Sequence, residues 1–365
     1  MLYTILILLT VIFLFGLYFM NRPEFGKQPS GTRLERILSS PNYKEGQFQN
    51  LSPTPQLEKG YNMWGVMIDF LFRKPDNVKP HKDIPVIKTR LSDLSPDANQ
   101  LVWFGHSSYF FILNGKTFLV DPVLSENASP VPGSNKAYKG TSIYTAEDLP
   151  EIDFLIITHD HFDHLDYPTI KNLRGKVKQV ICGLGVGEHL EYWGYSPANI
   201  TELDWYDSAA FSGDVTITAT PARHFSGRTL KRNYTLFCSY VLQSGNSKIF
   251  VGGDSGYDTH FKTIGNRYGP FDLAILENGQ YNPAWRYIHT LPSEMPDVIK
   301  DINARNILPV HSGKFALALH SWKEPLTEII KLQSADIHIL TPKIGEVLRL
   351  GDSTQTFSKW WEATD

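Results

Sequence analysis

The chain has 365 residues, room for one large or two ordinary domains around a sizeable core. Its 35 Lys and Arg against 38 Asp and Glu give a formal charge of -3, which excludes a nucleic-acid binder working through bulk positive charge. Hydrophobic residues at 42% with charged ones at 20% exclude a disordered chain, and two cysteines, Cys182 and Cys238, are too few for a disulfide scaffold and read as buried thiols in apolar strands.

Leu2 to Met20 holds no Asp, Glu, Lys, Arg or His and is dominated by Leu, Ile, Val and Phe, about the ~20 residues a helix needs to cross a bilayer. No basic n-region precedes it and no small-x-small cleavage site follows, so residues 1–20 are expected as an uncleaved membrane anchor. Arg22, Lys27, Arg33 and Arg36 all follow the span, so the body is expected on the cytoplasmic side. Residues 21–60, rich in Pro, Gly, Ser and Asn, read as a tether lying on or leading to the body. Tyr61 to Phe72 is almost wholly apolar and predicts a helix docked on the core or contacting the membrane. From Leu101 onward, β-rich runs (LVWF, YFFIL, TFLV, DFLIIT, VKQVIC, VTITAT, LFCSYVL, KIFVGG) alternate with helical patterns at Ser293 to Asn303 and Trp322 to Leu332. No internal repeat interrupts this, and residues 61–365 are taken as one α/β domain.

The run Asp153 to Thr158 ends in His159, Asp160, His161, Phe162, Asp163, His164, Leu165 and Asp166: three histidines and three aspartates in eight residues. In an extended or turning segment His159 and His161 project to one side and can grip a cation, while Asp163 and His164 face a second position nearby. A dinuclear site is implied. Imidazole mixed with carboxylate suits zinc, with iron or manganese as alternatives. Three further candidates follow strand-like runs downstream: His224 after VTITATPAR, Asp254 after KIFVGG, and His311 after NILPV. Gly252 and Gly253 leave room for backbone to approach a metal at Asp254.

This pattern, H-x-H-x-D-H, then a lone His, a strand-end Gly-Asp and a late His, resembles the metallo-β-lactamase superfamily over about residues 100 to 350. The blocks GHSSYFF, LVDPVLSENASP, THDHFDHLDY, PARHFSGRTL, GGDSGY and RYGPFDLA are similar, in that order, to its N-acylphosphatidylethanolamine-hydrolysing phospholipase D branch. The resemblance implies an αββα sandwich with the metals between its sheets. It implies that His159, His161 and His224 bind one ion, that Asp163, His164 and His311 bind the other, and that Asp254 bridges them. It further implies that Asp121, in Leu119-Val120-Asp121-Pro122, holds the metal loop by hydrogen bonds without ligating.

A water between two divalent cations loses much of its proton affinity, so the expected chemistry is hydrolysis without a Ser or Cys nucleophile, Asp163 and Asp254 being ligands close enough to take the water proton. Two ions about 3.5 to 4 Å apart are expected. The resemblance marks His289, in RYIHTLP, as a contact to the phosphate or leaving group. His106 is expected to brace a ligand loop by a hydrogen bond. Tyr281, like Tyr257, Asn278 and Gln280, follows strand runs near the candidate ligands, and Arg223 and Arg228 flank His224 as a phosphate-steering rim. The reading is a membrane-anchored metallophosphodiesterase acting on N-acyl phosphatidylethanolamine-like phospholipids, with no nucleic-acid partner and no expectation for oligomeric state. The alternative is a lactonase or other carbonyl-ester hydrolase of the same fold.

Overall fold

The computed structural model describes residues 2–364. Helix α1 (Leu2–Met20) projects from the rest with none of its residues buried, touching it at its last turn, where Phe19 meets Phe25. Helix α2 (Gly31–Leu38) and a short hairpin, β1 (Tyr43–Lys44) with β2 (Gln47–Phe48), follow, and α3 (Met63–Phe72) precedes the body.

The body is built on two seven-stranded sheets. The first contains β3 (Gln100–Trp103), β4 (Tyr109–Leu113), β5 (Lys116–Val120), β6 (Ile152–Ile157), β7 (Val177–Gly183) and β8 (Ile200–Leu203), in that spatial order, with the late β16 (Val347–Arg349) beside β3. The second runs in reverse spatial order from β15 (His338–Ile339) through β14 (Asn306–Val310), β13 (Leu273–Glu277), β12 (Ser247–Val251), β11 (Cys238–Ser244) and β10 (Val215–Pro221) to β9 (Ser208–Phe211). Each of the eight strand-like runs read from the sequence overlaps one of these strands, four of them running one or two residues past an end. Two-residue periodicity divides each between two cores: in β4, Tyr109, Phe111 and Leu113 face the space between the sheets, whereas Phe110 and Ile112 face outward. Outside the first sheet lie α4 (Tyr167–Leu173) and α5 (Gly187–Tyr192), which bury Ile170, Leu173 and Leu190 on it. Outside the second lie α6 (His260–Tyr268) and α7 (Met295–Ile302), which bury Phe261, Ile264, Val298 and Ile299. The layers are therefore αββα. A stack of Phe111 on Phe118 at 4.7 Å and of Phe118 on Phe154 at 5.1 Å fills part of the central layer. The helix read at Ser293 to Asn303 is α7, and that at Trp322 to Leu332 is α8 (Glu324–Ile329) continued by one 3-10 turn to Leu332.

Residues 21–60 form a packed layer and not a free linker. Phe25, Ile37 and Phe48 are buried, each contributing about 1.5–3 kcal/mol by leaving water. Arg33 forms ion pairs with Glu188 and Glu202, both at 2.7 Å, and with Glu191 at 3.1 Å. Pro, Gly and Ser punctuate this segment, but its few aromatic and aliphatic side chains decide where it lies. Helix α3 forms where the sequence places it, with Asn62 accepting from the Gly65 amide at its N-terminus. It is not docked by burial, however: none of its residues is buried, and Trp64 and Phe72 are 73% and 79% exposed.

Candidate metal centre

Strands β5 and β6 run parallel, as do β12, β13 and β14, and the chemically distinctive side chains sit on the turns leaving their C-terminal ends, where open α/β sheets gather ligands. Asp121 follows β5, His159 to His164 follow β6, Asp254 follows β12, Glu277 ends β13 and His311 follows β14; His224 joins them from the end of the antiparallel β10. Three of the residues hold left-handed backbone without being glycine, His106 at φ 52°, Asp121 at 41° and His311 at 65°. Such conformations cost on the order of 1 kcal/mol each and persist where the surroundings fix them. Here a short ladder does so, His106 N–H donating to the Ser312 carbonyl at 2.9 Å and His311 N–H to the His106 carbonyl at 3.0 Å.

The side chains converge in two groups. His159 Nε2 lies 2.9 Å from His161 Nδ1, and His224 Nε2 lies 3.2 Å from the same atom. Asp163 Oδ2 lies 3.6 Å from His164 Nε2 and 3.5 Å from His311 Nε2. Asp254 stands between the groups: its Oδ2 is 3.2 Å from His164 Nε2, 3.1 Å from His311 Nε2, 3.7 Å from His224 Nε2 and 3.9 Å from His159 Nε2. His161 Nε2, His164 Nε2, His311 Nε2 and Asp254 Oδ1 are buried without a directed hydrogen bond. Buried polar atoms are otherwise almost always paired, so a nest of nitrogen and oxygen lone pairs this dense fits metal cations. The electrostatics agree. Burial holds His159 and His224 well below the usual imidazole value and takes His161 down to about 4, leaving these rings neutral, as ligands must be. Burial also opposes charge on His164, but Asp254 and Asp163 outweigh it and lift the ring well above its usual value. A cation entering between those carboxylates would displace that proton.

A surrounding layer fixes the orientation of the cluster. Asp121 accepts from the Thr158 amide at 2.8 Å and from its hydroxyl at 2.5 Å, and meets His164 Nδ1 at 2.8 Å, leaving His164 Nε2 turned inward. His106 Nε2 meets Asp163 Oδ2 at 3.0 Å, the bracing expected of it. Asp166 caps α4 through Thr169 and holds Ser125 at 2.9 Å. Two carboxylates that the sequence reading passed over complete the layer. Asp160 accepts from the Gly227 amide at 2.6 Å and from Thr235 at 2.9 Å and pairs with His189 at 3.2 Å. Glu277 meets His289 Nδ1 at 2.7 Å and accepts from the Thr290 amide at 2.7 Å. Burial and the charge of Asp254 push the Glu277 carboxyl well above the usual carboxylate range. A cation at Asp254 would cancel the second of these causes.

Residues 116–312 match the family model described as the β-lactamase superfamily domain. The chain belongs to this superfamily. An uncharacterized protein of Mycobacterium tuberculosis is 38% identical over 80% of this chain and 79% of its own. The N-acyl-phosphatidylethanolamine-hydrolyzing phospholipase D 1 of Caenorhabditis elegans is 31% identical over 72% of this chain and 75% of its own. Among solved structures, an isothiocyanate hydrolase from Delia radicum gut bacteria shares the fold with a TM-score of 0.54 at 22% identity, covering 69% of this chain and 99% of that one. The protein is a metal-dependent hydrolase of the metallo-β-lactamase fold, with His and Asp groups suited to metal ions.

The cluster forms the floor of a cavity of about 530 Å³, lined by His161, Asp163, His224, Asp254, His289 and His311 below and by Phe225, Trp285, Ile288 and Leu317 above. One wall comes from the N-terminal layer, through Asn50, Thr54 and Leu57, and from α3, through Met63 and Val66, all outside the part matched by the β-lactamase superfamily domain. Asn50 is locked to the floor by two reciprocal bonds with the His224 backbone, 2.8 and 3.0 Å. Three expected substrate contacts are elsewhere. Arg228 is buried, donating to the Asp160 and Leu165 carbonyls at 2.7 Å each and to the Glu24 carbonyl at 2.9 and 2.6 Å, so it is a strut beneath the histidine loop. Arg223 turns away to Thr54, the Pro53 carbonyl and the Tyr257 carbonyl, over the ring of Tyr287. Tyr281 is buried with its hydroxyl donating to Glu324 at 3.0 Å. Neighbours of a ligand in sequence point to the opposite side of the turn as often as to its own. The basic side chain near His224 that does line the cavity is Arg232, eight residues on, and of Tyr257, Asn278, Gln280 and Tyr281 only Gln280 does. Tyr257 is committed to Asp301, and Asn278 to the Pro325 carbonyl.

Proposed function

We propose that the protein hydrolyses the phosphodiester of N-acyl phosphatidylethanolamines or closely related glycerophospholipids on the side distal to glycerol, giving a phosphatidic acid and an N-acyl ethanolamine. The observation that carries this is the cavity: a floor of His and Asp side chains beneath apolar walls, with the apolar helix α3 contributing Met63 and Val66 to its lining while exposing Trp64, Leu71 and Phe72 to the outside. A polar head fits the floor and acyl chains fit the walls. The similarity to the nematode phospholipase D agrees with the same substrate class.

His159, His161 and His224 would hold one divalent ion, Asp163, His164 and His311 a second, and Asp254 both, with zinc the first choice for such N- and O-donors. Bound there, the ions supply an activated water and neutralise charge on the phosphoryl oxygens. The protein supplies the rest. His289 lines the cavity and faces the position of the substrate phosphate, Asp163 and Asp254 lie beside the reacting centre as proton acceptors, and the apolar walls keep bulk water from the ester. Labelled water decides the reaction class. One water adds across the P–O bond, its oxygen going to phosphate and its proton to the departing ethanolamide alcohol, so ¹⁸O is expected in phosphatidic acid. Label in a fatty acid or in an opened lactone would replace this reading with carbonyl-ester hydrolysis.

Helix α1 has a mean hydropathy of 2.5 over its most apolar window and no buried residue, suited to a membrane anchor. We place the body on the cytoplasmic side from the basic residues that follow it. Removing residues 1–20 should shift the protein toward the soluble fraction in membrane fractionation while leaving its metal content unchanged, because the seven side chains proposed to hold the ions, from His159 to His311, all lie beyond residue 158. Complete retention on membranes would assign the anchoring to α3 or another surface of the body, and loss of metal would show that the anchor supports the site.

A further inference from the structure

Glu277 is the buried carboxylate that touches two of the imidazoles in this site with different duties. Parallel pairing of Glu277 with Val310 brings the end of β13 beside His311. One oxygen, Oε2, meets His289 Nδ1 at 2.7 Å and lies 3.5 Å from His311 Nδ1 without a directed hydrogen bond to it, and the other accepts from the Thr290 amide at 2.7 Å. The backbone carrying His289 is pinned on both sides: His224 Nδ1 meets the Ile288 carbonyl at 2.9 Å, and Thr290 donates to the Ser255 carbonyl at 2.8 Å. With both Nδ1 atoms turned to one carboxylate, the Nε2 of each ring is left toward the cavity, that of His311 lying 3.1 Å from Asp254.

We infer that Glu277 is a positioning residue, its carboxylate setting the tautomer and orientation of His311 toward the metal and of His289 toward the substrate phosphate. A carboxylate accepts hydrogen bonds only, so His289, bonded to it, carries its hydrogen on Nδ1, and the negative charge 3.5 Å from His311 Nδ1 favours the same tautomer there; both rings keep the Nε2 lone pair for the cavity. A glutamine at this place is isosteric but has one accepting oxygen. When that oxygen takes the Thr290 amide, the glutamine NH₂ faces the rings and selects the opposite tautomer, with hydrogen on Nε2, so that His311 loses the lone pair a metal needs and His289 loses the one that can accept a proton beside the substrate phosphate. The His289 half of this assignment rests on the phosphodiesterase reading; the His311 half rests only on metal binding.

The experiment uses the full-length protein loaded with zinc. Chelator competition should show Glu277→Gln weakening the more labile zinc about 10- to 100-fold, with an unchanged circular dichroism spectrum. At saturating zinc, kcat on N-acyl phosphatidylethanolamine vesicles should fall with KM within about twofold. His289→Ala should lower kcat about ten- to a thousandfold, and adding Glu277→Gln to it should lower kcat no further. Glu277→Asp, which keeps the charge and shortens the arm, should recover part of the zinc affinity. Zinc affinity and kcat both unchanged in Glu277→Gln would overturn the proposal, as would a loss of thermal stability with neither altered. If the unsubstituted protein turns over no phosphodiester, the substrate reading fails and zinc competition alone decides for or against Glu277.

Discussion

Replacing Asp254 with Asn is expected to remove at least one of two bound zinc ions and to lower turnover about a thousandfold, equivalent to about 4 kcal/mol of barrier. The same carboxylate oxygen lies within 3.1 to 3.9 Å of four imidazole nitrogens drawn from both groups of the cluster. An Asn carbonyl is neutral, and its NH₂ would present hydrogens to lone pairs already aimed inward, so the substitution removes both the charge and the shared donor. Metal content by mass spectrometry together with initial rates checks this. Two ions retained with full activity would mean that Asp254 does not join the two groups.

Arg228→Ala is expected to cost about 3–5 kcal/mol of stability, because it strips donors from two buried carbonyls and one partly buried one and removes a charge compensated in place. For a chain of this length that lowers the melting temperature by roughly 5 °C. The guanidinium also stacks 4.1 Å from the ring centroid of Phe162, which lies between two of the candidate ligands, so metal affinity should fall with stability. A rim residue would behave in the opposite way, raising KM and sparing the melting temperature. Calorimetry of the zinc-loaded protein separates the two.

The histidine loop was legible in the sequence because its members are consecutive and leave a buried strand at once, so strand direction and spacing fix where they point. His224, Asp254 and His311 could be read for the same reason, each ending an apolar run. Glu277 carried a comparable signal, a lone carboxylate closing Leu273-Ala274-Ile275-Leu276, but it stands in no cluster of His and Asp, and the polar residues that follow it, Asn278 and Gln280, are not metal ligands by type. Asp160 was visible inside the histidine motif, though nothing local tells a ligand from a residue facing the other way across the turn. Arg228 and Arg223 were misplaced because adjacency to His224 carries no information about side once the chain turns. The layer formed by residues 21–60 was hidden by its composition: Phe25, Ile37 and Phe48 are too far apart for any period, and only tertiary contact shows that each is buried.

Phe25 has one further consequence. Its ring packs at 5.3 Å on Phe19, in the last turn of α1, and at 5.8 Å on Phe162 in the histidine loop. Five residue steps separate Met20 from Phe25, a reach of at most about 18 Å, so an anchored body has almost no slack. On the membrane reading the catalytic centre travels with its bilayer and meets lipids by lateral diffusion in two dimensions. The concentration that governs its rate is then the mole fraction of substrate in that one leaflet, and lipid in other vesicles, however abundant, lies beyond its reach.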